Sequence, residues 1–412
     1  MRLFAVQSMA VFVAGIFITL FTFFLPISPS LKSVFLVCCL LFIILTPSYN
    51  KYLLYTVNTL WGRAVIALFL YIVVACLWSE APYSMRAMVV GKYIKLLYLP
   101  ILAVGFIHPK LRVTCVNSYL AAIVITCIIS VLKSKGIFLV GDPGEVFYNH
   151  IITGFMVAFG SYLSGLFAFR STGKARIAYI VLTLITSYQV LFINTGRTGY
   201  VIYFILMALL LLQQLSLKKA GVGVLLFCGV MAIVYHESAI MQIGAKNLAS
   251  DIKFLQQNKE NTSLGYRIQF HNYAKSLWAT HPLIGIGTGS FKYRFSKDNP
   301  VPSWGTELTD PHSQYWMILA EQGIIGLVLL LVFLGSLFIT AFKLQETRSI
   351  ILGILVAFGI GSFSDTILCY STAGFILILM SALSFGELLE KHASKKVQEN
   401  EPVSNLLATQ QV

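Results

Sequence analysis

The sequence predicts an all-α, polytopic membrane protein with about twelve transmembrane helices and one large helical loop on the outer face. Three observations predict it. Hydrophobic residues make up 57% of the 412 residues and charged residues only 11%, at a mean hydropathy of +0.80. No soluble domain of this length needs that much apolar surface. The apolar runs are each about 17–25 residues long, enough to cross a hydrocarbon core as helices. Alternation with period two is absent, which argues against a β-barrel.

The runs place spans at about 7–25, 32–47, 64–79, 90–107, 113–132, 150–169, 177–193, 199–215, 219–236, 313–341, 349–366 and 371–388. The first has no small-residue cleavage site behind it and is expected to be a retained helix. Lys92 and Lys95 interrupt the start of the fourth. The tenth is long enough to tilt or to extend beyond the lipid. The lysines and arginines of the short loops, from Arg2, Lys51 and Arg63 to Lys391, Lys395 and Lys396, fall on one side of this arrangement. That side is then cytoplasmic, with both termini. The organisation expected is nine spans over 1–236, an outer loop over 237–311, three spans over 312–390 and a cytoplasmic tail over 391–412.

Part of the net charge of +14 is explained by this topology and by contact with anionic membrane lipids. The rest makes a basic outer face, and nucleic acid is not expected there. None of the seven cysteines sits in a CxxC or metal-ligand spacing, so packing thiols are expected. No cofactor is implied.

The outer loop carries an amphipathic helix over 262–280. Thr262 or Ser263 can cap its start. Tyr266, Phe270, Tyr273, Leu277 and Trp278 form its apolar stripe, while Arg267, His271 and Lys275 recur every four residues on another face. Such a helix can lie along lipid headgroups or pack on the membrane domain. The glycine-rich run His281-Pro-Leu-Ile-Gly-Ile-Gly-Thr-Gly-Ser-Phe291 follows. It reads as a structural turn first, and second as a source of backbone N–H groups for an anion.

Polar residues at membrane boundaries carry the functional reading, because charge there needs a partner. Arg197 lies in Asn194-Thr-Gly-Arg-Thr-Gly199, between two apolar helices. Its planar donors suit phosphate oxygens, and its charge persists at any relevant pH. Arg267 is a candidate second clamp, since a departing diphosphate gathers negative charge. His312, at the start of the tenth span, can take a proton from a hydroxyl. Asp365 is an intramembrane carboxylate that can orient His312 or pair with an arginine. Glu321 lies about 13 Å further along the helix from His312 and should act at one remove. Arg86, Lys92, Lys95 and Lys275 are further candidate contacts to a lipid-borne phosphate. DxD is absent, so arginines rather than a metal would carry the positive charge.

This set resembles the O-antigen ligase family, within the wider superfamily of O-antigen ligases and polymerases. The resemblance rests on Asn194–Gly199, Gly265-Tyr-Arg267, His281–Gly287, and Pro311-His-Ser313 followed by Glu321-Gln-Gly-Ile-Ile-Gly326. It covers roughly 190–330 in motif and the remainder in architecture. Thr195 and Thr198 depart from the serine or other small residue of many relatives. The resemblance implies a bacterial inner-membrane glycosyltransferase with its active site facing the periplasm. It implies a glycan on undecaprenyl diphosphate as donor and a sugar hydroxyl of lipid A–core as acceptor. It further implies metal-independent, inverting transfer, with Arg197 and Arg267 on the diphosphate, His312 near the acceptor hydroxyl, and Asp365 as the acidic residue near the last spans. The same donor chemistry serves a polymerase or a protein O-oligosaccharyltransferase, and a transporter or lipid flippase is the alternative of another class.

Overall fold

The computed structural model describes residues 2–137 and 141–400, and every element among them is helical. The end of the expected tail, 401–412, lies outside the described residues, as do the side chains of Arg2 and Lys396. The first part of the chain gives α1 (Arg2–Phe24), α2 (Pro29–Leu45), α3 (Pro47–Asn58), α4 (Leu60–Val74) and α5 (Tyr83–Tyr93). A 3-10 turn, Ile94–Leu97, joins α5 to α6 (Tyr98–Gly105). Then come α7 (Pro109–Ser134), α8 (His150–Arg170), α9 (Gly173–Phe192), α10 (Arg197–Gln214) and α11 (Leu217–Glu237). The polar segment holds α12 (Ala239–Gln256), α13 (Ser263–Thr280) and α14 (Ser290–Asp298). The chain returns through α15 (Gln314–Ala341), α16 (Arg348–Ser364) and α17 (Ser371–Asn400).

Each predicted span falls on a helix, but not all are long enough to cross a membrane alone. Among the described residues eight helices are, with Tyr83–Gly105 running as one, or nine if the bent pair α2–α3 is a single span. That pair turns by 99° at Thr46. α4 and α16 have 15 and 17 residues, about 22 and 26 Å of helix against a core of about 30 Å. The long apolar helices make it a multi-pass membrane protein, with eight candidate spans among the described residues.

Burial separates the centre of the bundle from its rim. α8 and α17 are 94% buried over their apolar windows, whereas α11 is 6% buried. The first two form the middle of the bundle and α11 lies at its rim with its side chains outward. Helix starts follow from local chemistry: Asn149 accepts from the Ile152 N–H at 2.9 Å, and Ser313 caps α15. Thr262 accepts from the Gly265 N–H at 3.1 Å and so starts α13 one residue after the cap.

The apolar stripe of α13 is consumed by packing. Phe270, Ala274 and Leu277 join Phe291 and Phe295 of α14 and Met317 and Ala320 of α15 in a second core. α13 is thus a wall of the site, docked on the membrane domain. The sequence reading had no counterpart to α12 or α14.

Candidate functional site

Arg197 is placed by a turn that the preceding residues lock. Asn194 has no exposed surface. Its Oδ1 accepts from the Gly196 N–H at 2.6 Å and its Nδ2 donates to the His150 carbonyl at 3.2 Å. The Tyr200 hydroxyl donates to the Asn194 carbonyl, and the Thr195 hydroxyl donates to Asp142 at 2.7 Å. Arg197 then opens α10, the Gly199 N–H donating to the Gly196 carbonyl at 3.0 Å, and the N-terminus of that helix favours an anion. Its Nη1 sits 3.3 Å from Asp251 of α12, and its Nη2 donates to the Ser263 hydroxyl at 3.0 Å.

Arg267 comes from α13 to line the same cavity as Arg197, about 310 Å³ in volume, with His150, Asn247, Ser250 and Asp251. Among the described residues Arg267 enters no ion pair. Burial lowers its pKa, and the neighbouring Arg197 adds to that, while the Asp365 carboxylate works in the opposite direction. Two guanidinium groups thus share one polar cavity with a single close carboxylate, Asp251, between α10 and α12.

His312 has φ +52, a left-handed conformation that a residue with a Cβ rarely holds. Asp310 holds it there: its Oδ1 accepts the His312 N–H at 3.1 Å, and the Thr309 hydroxyl donates to its Oδ2 at 3.1 Å. The His312 Nδ1 stands 3.4 Å from Oδ1 of Asp365, which has no exposed surface. Neither Nδ1 nor the other carboxylate oxygen makes an aligned hydrogen bond. Burial by itself pushes the His312 pKa down, but contact with Asp365, its charge and that of Asp310 outweigh this, and the net shift is upward. Arg267 opposes that rise, so its guanidinium and the imidazole share one field. His271 lies beside them, its Nε2 3.5 Å from the His312 carbonyl, and burial lowers its pKa.

The glycine-rich run is built into α15. Gly323 has φ 67 and interrupts that helix. The N–H groups of Ile324 and Ile325, which a continuous helix would direct to Ala320 and Glu321, donate instead to Pro282 and Leu283 at 2.9 and 3.1 Å. The carbonyls of Ala320 and Glu321 accept from Ile286 and Gly287 at 2.9 Å each. These four groups are satisfied by the loop, and the Gln322 carbonyl accepts from the Tyr71 hydroxyl at 3.3 Å, which is how irregular backbone survives in a helix of this kind. A Cβ on Gly323 would meet the Leu283 carbonyl oxygen at 2.3 Å, and one on Gly285 the Glu321 carbonyl carbon at 2.4 Å. The expectation that these N–H groups serve an anion is corrected for Ile286 and Gly287, whose partners are α15 carbonyls. Glu321 continues the joint: its Oε1 accepts the Phe291 N–H at 3.1 Å, at the start of α14.

Four other candidates sit elsewhere. Arg86 donates to the Cys76 carbonyl at 3.0 Å and braces the loop between α4 and α5. Lys95 is buried, its amine donating to the carbonyls of Leu368 and Tyr370 at 2.8 Å each. It is spent on the turn that follows Asp365 and does not line the Arg197 cavity. Lys92 is half-buried on α5 and Lys275 is exposed on α13. The residues that the sequence reading missed are Asp251 and Asp310, in the polar outer segment, and His150, at the start of an expected span.

Two sets have the ligand types for a divalent cation: Asp142–Glu145–His150 and Asp310–His312–Asp365. In the second the field of Arg267 raises the cost of any further positive charge. In the first the carboxylates already hold the His150 ring and the Thr195 hydroxyl.

No curated protein matches the chain. Residues 180–331 match the family model described as O-antigen ligase. The matched segment contains Arg197, Arg267 and His312 and ends before Asp365. Over that segment the chain is similar to the O-antigen ligase family.

Proposed function

We propose that the protein transfers a glycan from undecaprenyl diphosphate to a sugar hydroxyl of lipid A–core, at the periplasmic face of the inner membrane and with inversion at the anomeric carbon. The carrying observation is the meeting of Arg197 and Arg267 on one cavity, with the His312–Asp365 pair in the field of Arg267. Asp365 faces the Nδ1 of His312, which favours the tautomer with Nδ1–H toward the carboxylate and leaves Nε2 with a free lone pair.

In this reading the Nε2 of His312 accepts the proton of the acceptor hydroxyl as that oxygen attacks the anomeric carbon. The bond from that carbon to the diphosphate oxygen breaks on the opposite side. Arg197 and Arg267 hold the diphosphate and meet the negative charge that grows on it, so their contribution is largest in the transition state. Asp365 steadies the imidazolium formed. The charged groups gather at one end of the bundle, in loops and helix starts, rather than at its middle. That suits chemistry at a membrane surface better than passage through the membrane.

Deletion of the gene in its native host tests the reading. Unmodified core with full-length glycan stranded on the lipid carrier is the expected phenotype. Core bearing one repeat unit would instead assign polymerisation, and normal lipopolysaccharide with lost protein glycosylation would assign a protein acceptor. No change in any of these pools would discard glycosyl transfer.

A further inference from the structure

We infer that the cleft between α13, α14 and the loop joining α4 to α5 holds a sugar ring of one of the two glycan-bearing substrates: two half-exposed aromatic rings and two fixed pairs of polar side chains line it. The inference rests on the reading of the reaction as glycosyl transfer, which supplies the ligand class.

The cavity measures about 590 Å³, within the ~300–1,000 Å³ of small-molecule sites. Trp78 and Glu80 reach it from the loop between α4 and α5, Tyr273 and Ser276 from α13, and Arg294 and Asp298 from α14. Tyr273 and Ser276 are three apart and share a face of α13. Arg267, six residues before Tyr273, lies on a different side of that helix and about 9 Å back along its axis. One wall therefore serves both the Arg197 cavity and this cleft. The glycine-rich run completes the lining, and its Ile286 is pinned to α15 through the Ala320 carbonyl.

The polar groups are set before a ligand arrives. The Nη2 of Arg294 donates to Oε1 of Glu80 at 2.7 Å, and the Tyr273 hydroxyl donates to Oδ2 of Asp298 at 2.7 Å. Each contact uses one carboxylate oxygen and leaves the other, Oε2 of Glu80 and Oδ1 of Asp298, to accept from ligand hydroxyls. The lining carries one arginine against two carboxylates, which disfavours a phosphate and favours a neutral, hydroxyl-rich ligand. The rings of Trp78 and Tyr273 join an apolar face to a polar tip, and a pyranose answers with a C–H face and a rim of hydroxyls. Tyr273 is held by its neighbours, since Phe291 and Phe295 meet its ring edge-on. Little side-chain freedom is then lost on binding.

The test is calorimetric titration of the full chain in lipid nanodiscs with two probes, the host's core oligosaccharide freed of lipid A and its repeat-unit glycan freed of the carrier. Wild type is compared with Asp298→Ala, which removes an acceptor, and with Ser276→Trp, which fills the cleft. Ser276 is exposed and its hydroxyl bonds its own helix at the Tyr273 carbonyl, so Ser276→Trp decides alone if Asp298→Ala fails to fold. Binding of at least one probe, weakened about tenfold or more in both variants at an unchanged melting temperature, is the expected result. The probe that binds names the substrate. No binding of either probe to wild type, or wild-type affinity in either folded variant, overturns the site. Saccharide binding by a wild-type chain that transfers no glycan would strike the proposed function and leave the cleft standing. Transfer with neither probe bound would strike the cleft alone.

Discussion

The Nδ1 of His312 stands 3.4 Å from the Oδ1 of Asp365, a carboxylate with no exposed surface. Two devices bring them together. Asp310 holds His312 in its left-handed conformation. The Gln314 N–H donates to the Asp365 carbonyl at 3.2 Å, which ties the start of α15 to the end of α16. The buried charge on one side and the half-exposed imidazole on the other set the acid–base properties of the site.

A base must be unprotonated to act, so activity should rise with pH through the raised His312 value and level off above it. Asp365→Asn removes most of the upward pull, leaving that of Asp310, while burial still pushes downward. The acid limb of the rate profile should then move to lower pH while the plateau falls. An acid limb that stays in place would mean that His312 is not the titrating base. Linkage gives a companion result. The folded pKa is raised, so the pair contributes stability that is whole below the ordinary imidazole value of about 6.5 and is lost as pH rises through the folded value.

Arg197→Ala should lower transfer by about a hundredfold or more, as loss of a transition-state donor does, with membrane insertion intact. Arg197→Lys should recover little, because one ammonium cannot span two phosphate oxygens as a guanidinium does. Transfer assays on membranes with matched protein levels check both. Full activity in Arg197→Ala would remove this residue from the chemistry.

Gly323→Ala puts a Cβ 2.3 Å from the Leu283 carbonyl oxygen at a φ of 67. The backbone conformation and the clash together should cost at least ~2 kcal/mol. A lower melting temperature in detergent is the expected outcome, and the loop between α13 and α14 should become sensitive to protease. An unchanged melt would mean that the break in α15 does not depend on glycine.

Lys95→Met should act on stability rather than on substrate. It strips the Leu368 and Tyr370 carbonyls of their shared donor, at about 1–3 kcal/mol for each group left unpaired. The melting temperature should fall with the donor KM unchanged. A donor KM raised many-fold with an unchanged melt would put the amine on the substrate instead.

What was legible in the sequence was what stands out against an apolar background. Arg197, His312 and Asp365 interrupt or border long hydrophobic runs, and a charge there needs a partner. Arg267 was legible from its place on a helix whose stripe and cap could be read residue by residue. Asp251 and Asp310 lie in a polar segment and His150 at the start of an apolar one, where such residues are unremarked, and only the fold brings Asp251 and His150 to the cavity that Arg197 lines. The break in α15 was hidden because Gly323 sits in a long hydrophobic run that reads as one helix in spite of Glu321 and Gln322. The glycines of 285–289 were read correctly as turn formers. Their partner, a gap in a helix further along the chain, is a tertiary contact that no local pattern encodes.

The most direct measurement incubates the purified chain with a glycan on undecaprenyl diphosphate and with lipid A–core, and follows both products by mass spectrometry. The account predicts glycosylated core and free undecaprenyl diphosphate in equal amounts, and neither product with His312→Ala. Intact donor with the wild-type chain, or full turnover with His312→Ala, would contradict it.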